Sequence, residues 1–471
     1  MKKINPILKY VLTLISLFRS NIRDYGMYIA LAVIFITFQV MTQGVFLGPI
    51  NFTNLLNQTA YVAVLAVGMT LVIVTRQIDL SVGYLGAFLG AYVVVAVENQ
   101  NWPVVIALLV GLLITIAVGF IKGFLIAKIK VPSFVVTLAG MFIFKGFLMN
   151  RTNNRTISTS NEFFNKLGIG YLTDNIVGQL NLLTFSIGVV VILFILIFSI
   201  QKRIKNTKLN IPVEIPEVFL TKLVFLIVMV LFIAYNLAIY RGISWLLMIT
   251  VAVVVIYHIF TTQTVLGRRI YAVGGNPEAA ELSGINVKAI IIIVFISMGI
   301  LSLISGVMYA SYVQNTSPNH GPFWELYAIA AAYIGGTSAN GGVGKVVNAV
   351  IGSVVMMSLK NGMALSGVNA NIEPIVLGTV LLLAVIFDIY TRNVRTIDLV
   401  GVYYANKHHH QELMEAKGNY AQAKTALSNA KKDGKNTLEY EYAVTSAQGI
   451  YNRVKEKIRN AKHEDFQGLV R

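Results

Sequence analysis

Long apolar runs, separated by short polar links, dominate the pattern of this chain. The runs lie at 27–47, 53–75, 80–97, 103–127, 131–149, 179–200, 219–240, 243–262, 288–312, 323–339, 343–364 and 372–391. Most have roughly the 20 residues that an α-helix needs to cross the hydrocarbon core of a bilayer, whereas 80–97 and 323–339 are shorter. The pattern predicts an all-α polytopic membrane protein, with about twelve transmembrane helices in a domain at 25–395.

The basic residues of the links predict an orientation. With the N-terminus placed inside the cell, the inside links hold most of the lysines and arginines, among them Arg76 and Lys122, and the outside links hold few. We therefore expect both termini in the cytoplasm, with 1–24 as an N-terminal segment and 150–178 as an external loop.

Composition narrows the classes of function. The chain is 56% hydrophobic and 13% charged, and the inside links of a membrane protein explain its net charge of +17 better than nucleic-acid binding does. It has no cysteine, which excludes disulfides and cysteine metal sites. The runs carry neither a His-rich metal cluster nor an acid/base constellation, so we expect no enzyme. The broken first apolar stretch does not fit a cleavable signal peptide.

A polar, glycine-punctuated segment at 267–287 interrupts the apolar pattern. Asn276 is a good N-cap, Pro277 suits the first helical position and Gly284 suits the stop, so a short helix is predicted from Pro277 to Leu282. A short helix at the membrane surface is an element on which a soluble partner can dock. An ordinary connecting loop is the alternative that this pattern leaves open.

Two polar breaks join a short apolar run to a longer one. In 75–83, Asp79 with Ser81 is either a helix cap or a functional site, because intramembrane carboxylates are costly. In 335–345, five glycines exclude an ordinary helix in lipid, and the spacing does not fit a nucleotide-binding P-loop. One break lies in each half of the chain, which favours an internal repeat around a central pathway.

These stretches resemble the permease subunits of bacterial ABC importers for monosaccharides, the group that includes the ribose, xylose and galactose permeases. The resemblance is carried by Ile78–Gly83, by the glycines of 335–344 and by 267–287, in the family's order, over about 50–395. Three apparent spans between the external loop and 267–287 are similar to the longer, xylose-like or multiple-monosaccharide branch. Arg76 stands where many members have a small residue.

The resemblance implies a division of labour. In the family a cytoplasmic ATPase, which binds ATP and Mg, docks on a pair of permease subunits, and an extracytoplasmic binding protein delivers the sugar. This chain would then bind no cofactor and would lie in the bacterial inner membrane. The residues expected to face the ATPase are Arg268, Arg269, Gly274, Gly275, Asn276, Pro277, Glu278, Ala279, Ala280, Glu281 and Gly284. Glu278 and Glu281 would either pair with basic residues of that partner or remain solvated.

A pathway for a neutral sugar needs side chains that match hydroxyl groups. The expected pathway residues are Asp79, Ser81, Thr337, Ser338, Asn340 and Asn361. The external loop at 150–178 is the expected docking surface for the binding protein. Two other functions stay open: a permease of this architecture for another solute, such as a nucleoside, and an ion-coupled secondary transporter that uses Asp79.

The tail at 396–471 lies outside the resemblance. Its apolar residues alternate by three and four on both sides of a turn signal at Asp433–Gly434, which predicts a helical hairpin with a small-residue seam. His408, His409 and His410 do not suit a metal site, because consecutive residues face different sides of a helix.

Overall fold

The structure is a computed structural model that describes residues 22–173, 180–209, 211, 216–391, 409–433 and 436–460. The helices of the first half are α1 (Ile22–Met41), α2 (Pro49–Val74), α3 (Val82–Glu98), α4 (Val104–Ala127), α5 (Ser133–Arg151), α6 (Glu162–Ile169), α7 (Leu182–Lys208) and α8 (Pro216–Tyr240). Those of the second half are α9 (Trp245–Gln263), α10 (Val265–Gly275), α11 (Pro277–Leu282), α12 (Val287–Val313), α13 (Trp324–Ile334), α14 (Val346–Leu365), α15 (Glu373–Thr391), α16 (His410–Lys432) and α17 (Leu438–Arg459).

The predicted all-α membrane fold is confirmed. Each predicted span overlaps a described helix, and eight of the described helices are long and apolar enough to cross a membrane. Strand is confined to a two-stranded antiparallel sheet of β1 (Ile157–Ser158) and β2 (Asn315–Thr316) in the described residues. This sheet and helix α6 give the predicted external loop a structure that its polar sequence did not reveal.

Helix α2 is the centre of the bundle. Its most apolar window is 94% buried, whereas the corresponding windows of α4, α5, α7, α8 and α9 are 17–28% buried. An α-helix that is apolar on all sides needs either lipid or protein around it, and α2 has protein. The more exposed helices have apolar outer faces, which lipid or a further subunit can cover.

Glycines allow α12 to pack closely against its neighbours. A Cβ added at Gly119 or Gly123 of α4 would lie 2.6 Å from the Cα of Ile296 or Ile292 of α12. On another side of α12, an added Cβ at Gly306 would overlap the carbonyl oxygen of Gly86 in α3. Close approach at small residues is the usual way in which membrane helices gain packing energy.

Two expectations about the bundle are wrong. The predicted span at 323–339 contains a helix of only 11 residues, α13, which at 1.5 Å per residue is about half as long as a bilayer crossing. Lys122, which charge counting assigned to an inside link, lies within α4 and is buried. Counting charges cannot separate a buried lysine near a helix end from one in the adjoining link.

The tail forms the predicted helical hairpin in its described residues. Helices α16 and α17 pack together, with the rings of Tyr420 and Tyr451 stacked at 6.1 Å between centroids and Lys431 3.6 Å from Glu441. The chain divides into two compact units, and this hairpin belongs to the smaller one. Gly434 and His408 lie outside the described residues, and His409 pairs with Glu412 at 2.8 Å.

Candidate functional site at the junction of three motifs

The segment at 267–287 folds as two consecutive helices. The prediction for α11 is confirmed: Asn276 Oδ1 accepts a hydrogen bond from Ala279 N at 3.0 Å, and Pro277 is the first helical residue. Gly284 adopts φ +80°, and the next amide, Ile285 N, donates to Ala280 O at 3.0 Å. The preceding helix, α10, was not predicted, although Thr264 Oγ1 caps it by accepting from Gly267 N.

This helix pair has an inner and an outer face. Ile270, Val273 and Ala280 are buried against the bundle. The outer face exposes charged residues and Leu282, whose side chain is 90% exposed. The charged residues on it are Arg268, Arg269, Glu278 and Glu281. The segment is therefore a pair of capped helices with a mainly charged outer face, and docking of a partner on that face stays a prediction.

Arg76, in the first polar break, binds the end of α10. Its Nε donates to the carbonyl oxygen of Gly274 at 2.7 Å, and its terminal guanidinium nitrogen donates to that of Gly275. These carbonyls belong to the last turn of the helix, where a cation also meets the negative end of the helix dipole. Arg76 holds φ +62°, a left-handed conformation that is costly for a residue with a side chain.

The second polar break meets the same point. Gly342 N donates to the carbonyl oxygen of Val74, the last residue of α2, at 2.9 Å. Gly274 lies against both groups so closely that an added Cβ would overlap the Val74 oxygen. The three motifs, far apart in sequence, therefore share one junction, which we call the three-motif junction: Val74–Arg76, Tyr271–Gly275 and Gly341–Gly344.

Tyr271 provides a further bond across the junction. Its hydroxyl donates to the carbonyl oxygen of Gly344 at 2.7 Å. Burial raises the pKa of the Tyr271 hydroxyl above its ordinary value, so it keeps its proton, and with it this bond, at physiological pH. The helix pair is thus bonded to the first break through Arg76 and to the second break through Tyr271.

Asp79 and Ser81 form a buried ionic cluster with Lys122. Lys122 Nζ lies 2.6 Å from Asp79 Oδ2 and donates to Ser81 Oγ at 3.0 Å, while Ser81 donates its hydroxyl and its amide to Asp79 Oδ1 at 2.6 and 2.9 Å. Asp79 and Ser81 are fully buried. This cluster fastens the first break to α4, and it satisfies the carboxylate whose cost motivated a functional hypothesis.

The remaining pathway candidates fall into two places. Thr337, Ser338 and Asn340 lie in the second break beside the junction; Ser338 Oγ accepts from Asn340 N, and the buried Thr337 hydroxyl has no hydrogen-bond partner. Asn361 lies near the other end of α14, where its amide exchanges two hydrogen bonds with Asn51 at 2.9 and 3.1 Å. The structure therefore groups five of the six candidates at one end of the bundle, and their role in a pathway stays a prediction.

Comparisons with known proteins show the family of this chain. A family model described as "Branched-chain amino acid transport system / permease component" matches residues 51–385. The chain belongs to this permease family. The xylose transport system permease protein of Haemophilus influenzae is 38% identical over 368 residues, which cover 78% of this chain and 96% of that protein. The corresponding protein of Escherichia coli K12 is 37% identical over 375 residues, 79% of this chain and 93% of that protein.

Another relative is named for a different sugar, ribose. The ribose import permease protein of Escherichia coli K12 is 32% identical over 343 residues, which cover 72% of this chain and 85% of that protein. No solved structure gives a significant match. The xylose- and ribose-type permease resemblance is therefore confirmed, and this family member is a multi-pass protein of the bacterial inner membrane, a permease subunit rather than an enzyme.

Proposed function

We propose that this chain is the membrane-spanning subunit of an ATP-driven importer that passes a monosaccharide into the cytoplasm. Its similarity to permeases named for xylose and ribose supports the substrate class. The observation that carries the mechanism is the three-motif junction, because it bonds an exposed helix pair to both polar breaks of the membrane domain.

The outer face of α10 and α11 is the proposed docking site for the ATPase. Leu282 supplies an apolar contact, and Arg268, Arg269, Glu278 and Glu281 supply charges for the rim of an interface. ATP and Mg would bind to that partner, and this chain would bind neither. The helix pair can transmit force, because its inner face is bonded to the bundle while its outer face is exposed.

Coupling follows from those bonds. A displacement of α10 pulls Arg76 through Gly274 and Gly275, and it pulls Gly344 through Tyr271. Both breaks then move together with the ATPase. The ATPase can shift the permease between outward-open and inward-open states only as far as its contacts differ between those states.

The orientation and the assembly belong to the same proposal. The ATPase is cytoplasmic, so α10 and α11 and both termini lie on the cytoplasmic side, and the loop that contains β1 and α6 faces outward toward a sugar-binding protein. Two copies of the permease would enclose the pathway. The helices whose side chains are mostly exposed in one copy, such as α5, provide the surface for the second copy.

The substrate class needs a direct test, because the family description names amino acids and the relatives described above are named for sugars. The chain should be reconstituted in liposomes alone, and together with the ATPase and the binding protein encoded beside it. Uptake of labelled xylose, ribose, galactose, glucose, a nucleoside and leucine is then measured with and without ATP. We expect ATP-dependent uptake of one monosaccharide that needs all three components.

A loop replacement tests the docking site. Exchanging Pro277–Glu281 for a Gly/Ser linker should abolish uptake and ATPase binding, whereas the same exchange at 366–369, a turn at the other end of α14, should preserve ATPase binding. Ion-driven uptake by the chain alone would overturn the proposal and favour a secondary transporter that uses Asp79. ATP-dependent uptake of only the nucleoside or leucine would overturn the substrate class.

A further inference from the structure

Lys145 is a charged residue in an unexpected place. It lies within α5, twelve residues after Ser133 and six before Arg151, in a helix whose other exposed side chains are mostly apolar. Its side chain is exposed on the surface of the chain, and its contact in the described residues is an aromatic ring rather than a carboxylate. Charges within membrane spans usually face a protein interior or water, because lipid does not solvate them.

The ammonium group of Lys145 lies over an aromatic ring of α3. Its Nζ lies 5.8 Å from the centroid of the Tyr84 ring, and Tyr84 is the third residue of α3. The far end of α3, at Glu98, is about 21 Å away along the helix at 1.5 Å per residue. A lysine near a helix end normally extends toward the nearer membrane surface. This one lies over the Tyr84 ring, and its charge needs water or another polar group beside it.

A row of half-buried aromatic rings leads to the same place. Tyr84, Phe88 and Tyr92 follow each other at intervals of four residues, so they lie on one face of α3. Phe88 packs against the rings of α5, and the Arg151 guanidinium lies 5.0 Å from the Tyr92 ring centroid. The row therefore runs from the loop end of the bundle to Lys145, with a cation at each end.

A buried carboxylate lies behind Tyr84. Glu325, in the first turn of the half-length helix α13, is 6% exposed, and its Oε2 has no hydrogen-bond partner. A Cβ added at Gly83, the residue before Tyr84, would overlap this oxygen, and Glu325 interacts electrostatically with Tyr84. Buried acceptors without a partner are rare, so this oxygen can accept a further hydrogen bond.

We propose that Lys145 and Tyr84, backed by the buried Glu325, form a contact site for the hydroxyl groups of a neutral monosaccharide part-way along its path. The ammonium group offers three donors, and the phenol both donates and accepts. The Tyr84 ring can also cover an apolar face of the sugar. This site rests on the proposed function. It faces the water-filled space between this chain and the second copy, because lipid does not solvate the charge of Lys145.

Cysteine labelling tests whether this face meets water and sugar. The chain has no native cysteine, so a single Lys145→Cys variant, assembled with its partners in liposomes, reports without background. We expect modification by a charged, membrane-impermeant thiol reagent, and slower modification during turnover with sugar and binding protein. Leu113→Cys, on α4 and 66% exposed, should stay unmodified, and Asn154→Cys, in the exposed turn after α5, should react with no effect of sugar.

The outcomes separate the possibilities. If the Lys145→Cys variant is modified no faster than the Leu113→Cys variant, the face meets lipid and the site is overturned. If the Lys145→Cys variant is modified but sugar does not slow the modification, the face contacts water and not sugar, and the proposed site is overturned as well. If Lys145→Cys fails to assemble, Phe142→Cys, one turn away on the same exposed face, repeats the test with Lys145 in place.

A transport measurement tests the role of the charge. With one binding protein throughout, Lys145→Met should lower uptake of the full sugar about ten-fold, and uptake of an analogue that lacks one hydroxyl much less. ATPase binding, measured by co-purification, should be retained, because Lys145 lies outside the proposed docking helices. Lys128→Met, an exposed lysine after α4, should change neither uptake. A parallel loss of both uptakes and of ATPase binding would assign Lys145 a purely structural role. Failure of the unmodified chain to import any sugar would instead overturn the proposed function, and the labelling of the Lys145→Cys variant would still decide whether this face meets water.

Discussion

At the scale of single residues, Arg76 determines how the surface helices are attached. Its left-handed backbone costs on the order of 1–3 kcal/mol, and its guanidinium bonds to Gly274 and Gly275 offset that cost. We expect Arg76→Gly to relieve the backbone and remove the bonds at once. The free energy of unfolding should then change by no more than about 1 kcal/mol, whereas sugar imported per ATP hydrolysed should fall several-fold.

Thermal unfolding in detergent and coupled uptake assays check this expectation. Lys130→Gly is the matched control, since Lys130 is also basic and left-handed, at φ +64°, and lies on an exposed link away from the junction. Unchanged sugar import per ATP in Arg76→Gly would show that the bond does not transmit movement.

The buried ion pair predicts a different response. Lys122→Met would leave the Asp79 carboxylate buried without a counter-charge, and losses of this kind cost about 3–5 kcal/mol. Adding Asp79→Asn should restore most of the stability, because the amide oxygen still accepts from Ser81 N while the charge is gone. Thermal unfolding of both variants measures this. If Lys122→Met unfolds at the temperature of the unmodified protein, Asp79 tolerates being alone, and an ion-binding role for it regains support.

The sequence reveals the role of a residue whose partner is a few positions away, and misses the role of one whose partner is far along the chain. Asn276, Pro277 and Gly284 act within a few residues of themselves, so local rules predicted them. Asp79 and Lys122 are 43 residues apart, and Arg76 and Gly274 are 198 apart, so their pairing depends on the fold. The one sequence signal for Lys122 and Lys145 is a lysine inside an apolar run. Counting charges by link assigned Lys122 to the adjoining link and left Lys145 out.

At the scale of elements, length and hydrophobicity were enough to locate the helices but not to describe each one. The runs at 53–75 and 103–127 match α2 and α4 within a few residues. The short length of α13 was not predicted. The apolar run at 323–339 continues past Ile334, but the residues after Ile334 belong to the second polar break and lie outside the helix. Helix α10 was missed because its glycines imitate a loop, whereas in the structure one of them, Gly274, permits close contact with α2.

Two adjacent glycines in α10 test that contact. A Cβ added at Gly274 would overlap the Val74 carbonyl oxygen, while at Gly275 nothing lies within 4 Å. We expect Gly274→Ala to separate α10 from α2 and to abolish import. Gly275→Ala should leave import unchanged and should raise stability slightly, by up to about 0.5–1 kcal/mol, through helix propensity. Uptake and thermal unfolding distinguish the two, and equal behaviour of the pair would contradict close packing as the cause.

At the scale of the whole molecule, the family match and the larger compact unit cover nearly the same residues. The family match covers 51–385, and the larger unit comprises 26–212 and 223–390. The motifs predicted a family resemblance over about 50–395, close to the residues that the family model matches. Their meeting at one junction was beyond the sequence, because Val74, Gly274 and Gly342 are far apart along the chain and contact one another only in the fold.

The tail provides the last test. The hairpin of α16 and α17 is held by its own contacts, such as Tyr420 on Tyr451 and Lys457 with Glu412 at 3.6 Å, and the family match ends before it. Since the larger compact unit ends at residue 390 and the family match at 385, a chain that ends at residue 396 should keep import within about two-fold. A chain that ends at residue 365 loses α15 and should lose import. Uptake by both truncations, with circular dichroism of the separate 396–471 fragment, measures this. If the chain ending at 396 folds and binds its ATPase but no longer imports, then the tail takes part in coupling, and the junction alone does not transmit the ATPase's movement.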